Sequence, residues 1–152
     1  MIRDDLKTAL VSAMKGGDKV GVGTMRMLQS AIKNRDIELR TASVQPDDDA
    51  LVTDVLQKMI KQRRESVEMY EKGGRAELAA IETAEIAVIE RFLPAQMSEA
   101  EAKAAIAVLI AETNASSMKD MGRVMALVRE RHTTSIEPAR ASALVKALLS
   151  GA

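Results

Sequence analysis

The stretch LPAQMSEAE, residues 93–101, interrupts a chain whose other segments favour helix. Pro94 stops a helix that reaches it, because proline has no amide hydrogen and disfavours the helical conformation at the preceding residue. Ser98 followed three residues later by Glu101 is a capping box, a pattern typical of a helix start. We therefore predict a domain boundary between residues 94 and 95 of this 152-residue chain.

The N-terminal domain, residues 1–94, is predicted to contain four helices. Its apolar residues recur at intervals of three and four, as on one face of an α-helix. Met14 in the first helix and Ile81 in the fourth belong to these apolar sets and are expected to face inward. Glycine pairs and a loop separate the helices. They are predicted to end before Gly16, to span 18–40 and 48–72 as a long pair, and to span about 75–93.

The C-terminal domain, residues 95–152, is predicted to contain three helices. The first follows Ser98. The second follows Ser117 and Asp120, which repeat the capping-box pattern. The third begins at Pro138, since proline suits the first turn of a helix. The predicted fold class is all-α, with an N-terminal helical domain that contains a long helix pair, followed by a small C-terminal three-helix bundle.

Composition excludes several kinds of chemistry. The chain has no cysteine, a single histidine, and only Tyr70 and Phe92 as aromatic residues. It therefore has no thiolate nucleophile, no cysteine-ligated metal, no two-histidine metal site and no aromatic platform on which bases could stack. It also contains no glycine-rich phosphate loop of the Walker or dinucleotide type. We expect no metal, no cofactor and no catalytic residue.

The charged residues at the start of the chain bear on its location. Arg3, Asp4 and Asp5 stand where a secretory signal would need apolar residues. The longest uncharged apolar run, residues 104–111, is too short to cross a bilayer. We expect a cytoplasmic protein that does not enter a membrane.

Charge is balanced overall, with 22 basic and 22 acidic residues, but it is distributed unevenly. Residues 119–146 hold six cations and three anions, an excess of three, with one histidine in addition. Lysine or arginine near a helix start can hold phosphate, and a glycine there lets another backbone approach. The candidate nucleic-acid-binding residues are Lys119, Gly122, Arg123, Arg129, Arg131, His132, Arg140 and Lys146.

Each of these features also has a simpler interpretation. The cations fit an ordinary solvated surface, Gly122 fits helix–helix packing, and His132 fits a cation placed at a helix end. A second basic cluster at residues 58–75 is interleaved with glutamates, which predicts intrahelical pairs such as Lys61 with Glu65. The ten methionines fit either a core or an adaptable interaction groove.

Several short motifs, in this order, resemble the YqeY family, whose members are stand-alone relatives of the tail domain of GatB, a subunit of tRNA-dependent amidotransferases. The matching stretches are residues 30–34 (SAIKN), 62–66 (QRRES) with Tyr70, 74–75 with Leu78, 85–86 with Ile89, 93–94 with Gln96, and 119–125 (KDMGRVM). The resemblance covers nearly the whole chain, and the stretch 119–125 is its most specific part. It implies an all-helical fold in two parts.

The resemblance also carries an expectation about function. The family tail is understood to touch tRNA, which implies an RNA-facing role for residues 119–125, whereas the amidotransferase's catalytic region has no counterpart here. Gly21 and Gly23 depart from the family pattern, and so does the loop 132–138, which lacks the expected glycine.

Three functions are therefore open. The first is a non-catalytic accessory protein that binds tRNA by its phosphate backbone, with aminoacyl-tRNA or an amidotransferase-associated protein as further possible partners. The alternative is a helical protein–protein interaction module. The third, which the family name implies, is a carbon–nitrogen ligase that uses glutamine as amido donor.

Overall fold

The fold is all-α, as predicted, in a computed structural model that describes residues 1–151. The described residues form seven α-helices and two short 3-10 turns, with no strand. The helices are α1 (Ile2–Lys15), α2 (Lys19–Glu38), α3 (Asp48–Lys72), α4 (Ala76–Glu90), α5 (Glu99–Thr113), α6 (Met121–His132) and α7 (Pro138–Leu149). The predicted helices of residues 2–93 and the three-helix C-terminal bundle are all present.

The chain forms two compact units, Met1–Leu93 and Pro94–Ala152. Unit 1 contains α1 to α4, and α3 packs along α4. Its core is formed by aliphatic side chains from all four helices, and those with no exposed surface are Leu28, Val52, Leu56 and Ile89. Burying each of these side chains contributes roughly 1.5–3 kcal/mol to the stability of the unit.

The start of α2 explains the glycine that departs from the family pattern. Asp18 caps this helix, and its carboxylate accepts a hydrogen bond of 2.9 Å from the backbone N–H of Gly21. A Cβ atom on residue 21 would collide with that same carboxylate. Alanine at position 21 would therefore require the end of the Asp18 side chain to turn aside, whereas a Cβ on Gly23 would meet nothing within 4 Å.

A glycine turn joins α3 to α4. α3 ends at Gly73, and Gly74 has a positive φ of 71°, a conformation that side chains rarely adopt. The backbone N–H of Arg75 then donates to the carbonyl of Tyr70 at 2.8 Å, which closes the turn. α4 consequently returns antiparallel along α3.

Two arginines tie the helices of unit 1 together. Arg3 on α1 binds both carboxylate oxygens of Asp36 on α2, at 2.7 and 2.9 Å, and donates to Asp48 on α3 at 2.8 Å. Arg63 on α3 donates to Glu85 on α4 at 2.8 Å, with side chains only 12% and 20% exposed. Both arginines therefore join helices that are distant in sequence.

Three predictions about unit 1 are wrong in detail. Met14 and Ile81 lie on outer faces and are 54% and 55% exposed, because the neighbouring helices cover only part of the apolar arc. Lys61 and Glu65 form no ion pair with each other among the described residues. The ion pairs of this basic cluster include one that crosses from α3 to α4, that of Arg63, and an intrahelical pair between Lys72 and Glu68.

Unit 2 contains α5, α6 and α7 around an aliphatic core. The predicted capping box is present, since Ser98 accepts from the N–H of Glu101 at 3.2 Å and the Glu101 carboxylate accepts from the N–H of Ser98 at 2.8 Å. α5 ends at Asn114 in the left-handed conformation. The fully or almost fully buried core residues are Ala102, Ile106, Leu109, Val124, Ile136, Ala141 and Val145.

Candidate nucleic-acid interface

The eight candidate residues lie around the ends of α6 and α7. Lys119 belongs to the 3-10 turn Met118–Asp120, and Gly122 and Arg123 follow in the first turn of α6. The others occupy the end of α6 and the two ends of α7: Arg129, Arg131, His132, Arg140 and Lys146. Most are exposed, whereas His132 and Arg140 are half-buried. All eight belong to unit 2.

The carboxylate of Asp120 already neutralises part of the positive charge at the start of α6. Its carboxylate accepts hydrogen bonds from the backbone N–H groups of Ser116 at 2.9 Å and Ser117 at 3.3 Å. It also accepts from the Arg123 guanidinium at 2.6 Å. The N–H of Ser116 foremost, with Arg123 and Ser117, holds the pKa of Asp120 below its usual value. An incoming phosphate would have to compete with this ionised carboxylate for Arg123.

The Asp120 carboxylate accepts no capping hydrogen bond from a backbone N–H of α6. The carboxylate instead closes the turn before the helix, which confirms the capping role predicted for it. Lys119 stands beside it, exposed, and binds no carboxylate among residues 1–151. The sequence indicated the capping role of Asp120 but not its contact with Arg123, one of the candidate cations.

Gly122 has no packing role inside the chain. It is exposed, and a Cβ atom built on it would meet nothing within 4 Å. The interpretation of Gly122 as a helix–helix packing residue is therefore wrong for the part of the chain that the structure describes. Glycine in this position lowers helix stability by roughly 0.5–1 kcal/mol relative to alanine. No contact in unit 2 offsets that loss.

Arg129 shares a face with Gly122. The two are seven residues apart, which places them about 20° apart around a helix of 3.6 residues per turn. Arg129 is exposed and forms no ion pair with any described residue. Gly122 and Arg129, with Lys119 just before them, form a surface that we name the α6 strip.

The remaining candidate residues do not form a single cluster with the α6 strip. Arg131 turns to α5 and donates to Glu112 at 2.6 Å, so its charge is compensated within unit 2. Arg140 and Lys146 are six residues apart, which separates them by about 120° around α7. The backbone carbonyl of His132 accepts from the N–H groups of Ser135 and Ile136, which closes the loop after α6.

Unit 1 holds two surface grooves that the sequence did not reveal. One lies between α1 and α2, with a volume of about 210 Å³. The other lies between α2 and α3, with a volume of about 350 Å³, and Asn34 and Gln62 line it. Both grooves include residues of the SAIKN motif, Ile32 and Lys33 in the first and Ala31 and Asn34 in the second. The motifs at residues 30–34 and 62–66 were the sequence signals that could have indicated them, since Gln62 also lines the second groove.

Neither a metal site nor a membrane span emerges from the described residues. No group of three or more histidine, cysteine or acidic side chains is placed to hold a metal ion. None of the helices in residues 1–151 has the length and apolar character needed to cross a bilayer.

Comparison with curated proteins finds relatives among fungi. Altered inheritance of mitochondria protein 41 of Lachancea thermotolerans is 34% identical over 116 residues, which cover 74% of this chain and 60% of the relative. The protein of the same name from Eremothecium gossypii is 35% identical over 90 residues, which cover 59% of this chain and 48% of the relative. The chain thus spans about half to three-fifths of the length of these mitochondrial proteins.

Comparison with family models gives a match that is almost as long as the chain. The model described as Yqey-like protein matches residues 3–149, which include all seven helices except the first residue of α1. This match agrees with the motifs at residues 30–34, 62–66 and 119–125. The chain therefore belongs to the Yqey-like protein family.

Proposed function

We propose that this chain is a non-catalytic accessory protein that binds tRNA through the α6 strip of unit 2. The observation that carries the proposal is Gly122, an exposed glycine inside a helix that no contact of the chain requires. A missing side chain at this point allows an RNA backbone to come close to α6. The resemblance of residues 119–125 to an RNA-facing segment supports the same surface.

The free cations support phosphate binding. Lys119, Arg129 and Lys146 are exposed and form no ion pair among residues 1–151. Arg123 and Arg131 are bound by Asp120 and Glu112, so they add less. About three phosphate contacts would then give a salt dependence with a slope of roughly −2 to −3 in log affinity against log salt. Recognition would depend on RNA shape, since the chain lacks an aromatic platform.

Gel shift or filter binding of the full chain with total tRNA tests the proposal. We expect binding at about 50 mM salt that weakens by one to two orders of magnitude at about 200 mM. Lys119→Glu with Arg129→Glu should abolish binding, because both side chains are exposed and unpaired. Lys61→Glu with Lys103→Glu is the matched control, with the same change in charge on exposed lysines outside the strip. Absence of binding at low salt, or equal loss in the control, contradicts the proposal.

The non-catalytic part of the proposal has its own test. Glutamine-dependent ammonia transfer by the purified chain alone would contradict it and favour the ligase that the family name implies. We also propose a cytoplasmic location, from the sequence. The relatives carry the word mitochondrial in their names, so fractionation of cells into cytosol and organelles decides this point.

The second candidate function, a helical interaction module, is favoured by a different observation. Beyond Met1, the exposed methionines are Met14, Met27, Met69 and Met118, whereas Met25 and Met125 are buried in the two cores. The exposed group is spread over α1, α2, α3 and the turn before α6. None of these exposed methionines lines either groove of unit 1.

A further inference from the structure

The groove between α1 and α2 has an apolar floor and basic sides. Leu6 and Ile32, both 3% exposed, form the floor. Lys7 and Lys33 stand on opposite sides of it, one on each helix, and Gln29 lies beside them. The groove holds about 210 Å³. Its lining thus combines an apolar base with two cationic side chains.

The charge of the groove is not cancelled inside the chain. Asp36, the one acidic residue that lines it, binds both outer nitrogens of Arg3. Arg3 holds the pKa of Asp36 below its usual value, so both partners stay ionised, and Arg3 is shared with the carboxylate of Asp48. Lys7, Lys33 and Gln29 make no side-chain hydrogen bond or ion pair with any described residue. Two positive charges and an amide are left for a ligand.

The same surface continues along the seam between the two helices. The Arg3–Asp36 contact fixes α1 and α2 as antiparallel neighbours. On α1, Met14 lies seven residues after Lys7 and is 54% exposed. On α2, Arg26 lies seven residues before Lys33, is exposed, and forms no ion pair within residues 1–151. Seven residues complete nearly two turns, so each pair lies on one face.

The seam therefore presents an apolar line flanked by three unpaired cations. From Arg3 to Met14 it extends about 16 Å, which equals three turns of a partner helix. Lys7, Arg26 and Lys33 supply the cations. Leu10 is half-buried beside them, and Met14 supplies an adaptable apolar contact at one end.

We propose that this α1/α2 groove binds an acidic amphipathic helix of a partner protein. An apolar side chain of that helix would enter above Leu6 and Ile32, and acidic residues on both flanks would meet Lys7, Lys33 and Arg26. A volume of 210 Å³ is below the roughly 300–1,000 Å³ typical of small-molecule pockets, which favours one or two side chains over a separate ligand. A nucleic acid would supply phosphates for the cations. It has no apolar side chain that could contact Met14 or the floor of the groove.

Fluorescence anisotropy with a model peptide tests this proposal. The probe is an 18-residue labelled peptide with leucine every third or fourth residue and glutamate on the flanking positions. Two further peptides serve as references, one with the same residues shuffled and one with lysine in place of each glutamate. We expect the full chain to bind the first peptide saturably, and amide shifts in a two-dimensional NMR spectrum to centre on Lys7, Gln29 and Lys33.

Charge reversal in the groove gives the matched comparison. Lys7→Glu with Lys33→Glu should weaken binding of the acidic peptide by about tenfold or more, since like charges across an interface repel. Lys19→Glu with Lys61→Glu makes the same change on exposed lysines of unit 1 outside the groove and should stay within about twofold. All four lysines are exposed, so circular dichroism and the melting temperature should show both variants folded.

Each outcome of these binding measurements either supports or overturns the proposed role of the α1/α2 groove. Loss in the groove variant alone supports the proposal. No saturation below about 1 mM peptide, equal binding of the shuffled or lysine-substituted peptide, or equal loss in both variants overturns it. Loss of tRNA binding in the groove variant, with peptide binding unchanged, assigns the surface to RNA and also overturns it. Failure of tRNA binding by the native chain contradicts only the function proposed for unit 2.

Discussion

The two units use arginine in different ways. In unit 1, Arg3 and Arg63 lie between helices, and their carboxylate partners are far away in sequence. In unit 2, Arg123 binds a carboxylate three residues away, and Arg131 binds Glu112 at the surface; the two arginine side chains are 60% and 45% exposed. The equal numbers of basic and acidic residues in the whole chain do not reveal this difference. Arg3 and Arg63 therefore belong to the fold, whereas Arg123 and Arg131 form more exposed pairs that contribute less to stability.

Arg63→Ala should produce the largest effect if this contrast is correct. The ion pair with Glu85 is largely buried, so removing one partner leaves an uncompensated carboxylate between α3 and α4. We expect the free energy of unfolding to fall by about 2–3 kcal/mol. Urea unfolding followed by circular dichroism measures it. Arg63→Met with Glu85→Leu removes both charges and should recover most of the loss; equal loss in the single and double variants would contradict this interpretation.

Asp36→Asn should give an effect that depends on pH. Arg3 lowers the pKa of Asp36, so the folded state holds the ionised carboxylate more strongly than the unfolded chain does. This contribution is complete above the unfolded pKa of about 3.9 and is lost as pH falls through the lower folded value.

At pH 7 we expect Asp36→Asn to lower the free energy of unfolding by about 1 kcal/mol, because the pair is bidentate but partly exposed. Once the pH falls below the lowered folded pKa of Asp36, the variant and the native chain should become similar, since both then lack the carboxylate. Urea unfolding at several pH values measures the difference. A difference that is constant between pH 3 and 7 would show that the carboxylate charge is not its cause.

Gly122→Ala should separate stability from binding in unit 2. A Cβ atom at this position meets no other part of the described chain, so alanine should raise stability by roughly 0.5–1 kcal/mol. If RNA approaches α6 here, the same substitution should weaken tRNA binding severalfold. Thermal unfolding and a gel shift on the same sample measure both effects. A more stable variant with unchanged tRNA binding would remove the observation on which the proposed function depends.

Arg131→Ala should have the smallest effect on stability. Both side chains of the Arg131–Glu112 pair are 45% exposed, and such pairs contribute about 0–1 kcal/mol. We expect a change in the free energy of unfolding within about 0.5 kcal/mol. A loss as large as that of Arg63→Ala would show that the two units do not differ as described.

The helices could be predicted because their signals are local. Asp18, the glycine pair at residue 73 and the Ser98–Glu101 capping box each act within one turn, so the sequence alone defines them. The exposure of Met14 and Ile81 was not predictable in this way. Helical spacing shows which residues share a face, but the width of the buried arc depends on where the neighbouring helices lie.

The candidate site could be predicted only as a set of residues. The sequence identified Lys119, Gly122 and Arg129, but gave no means of separating them from Arg123 and Arg131. That separation depends on Asp120 and Glu112, and Glu112 comes from a different helix. The groove between α1 and α2 was missed for a similar reason, since Lys7 and Lys33 meet only through the packing of two helices.

The cap at the start of α2 links two positions of the chain in evolution. The carboxylate of Asp18 lies where a side chain at residue 21 would have to begin. Alanine at position 21 therefore needs the Asp18 carboxylate to turn aside, as the carboxylate of Asp47 does where it caps α3 over Ala50. Positions 18 and 21 are thus expected to be coupled in evolution, with alanine at 21, the better helix former, accompanied by a different orientation or identity of the side chain at 18.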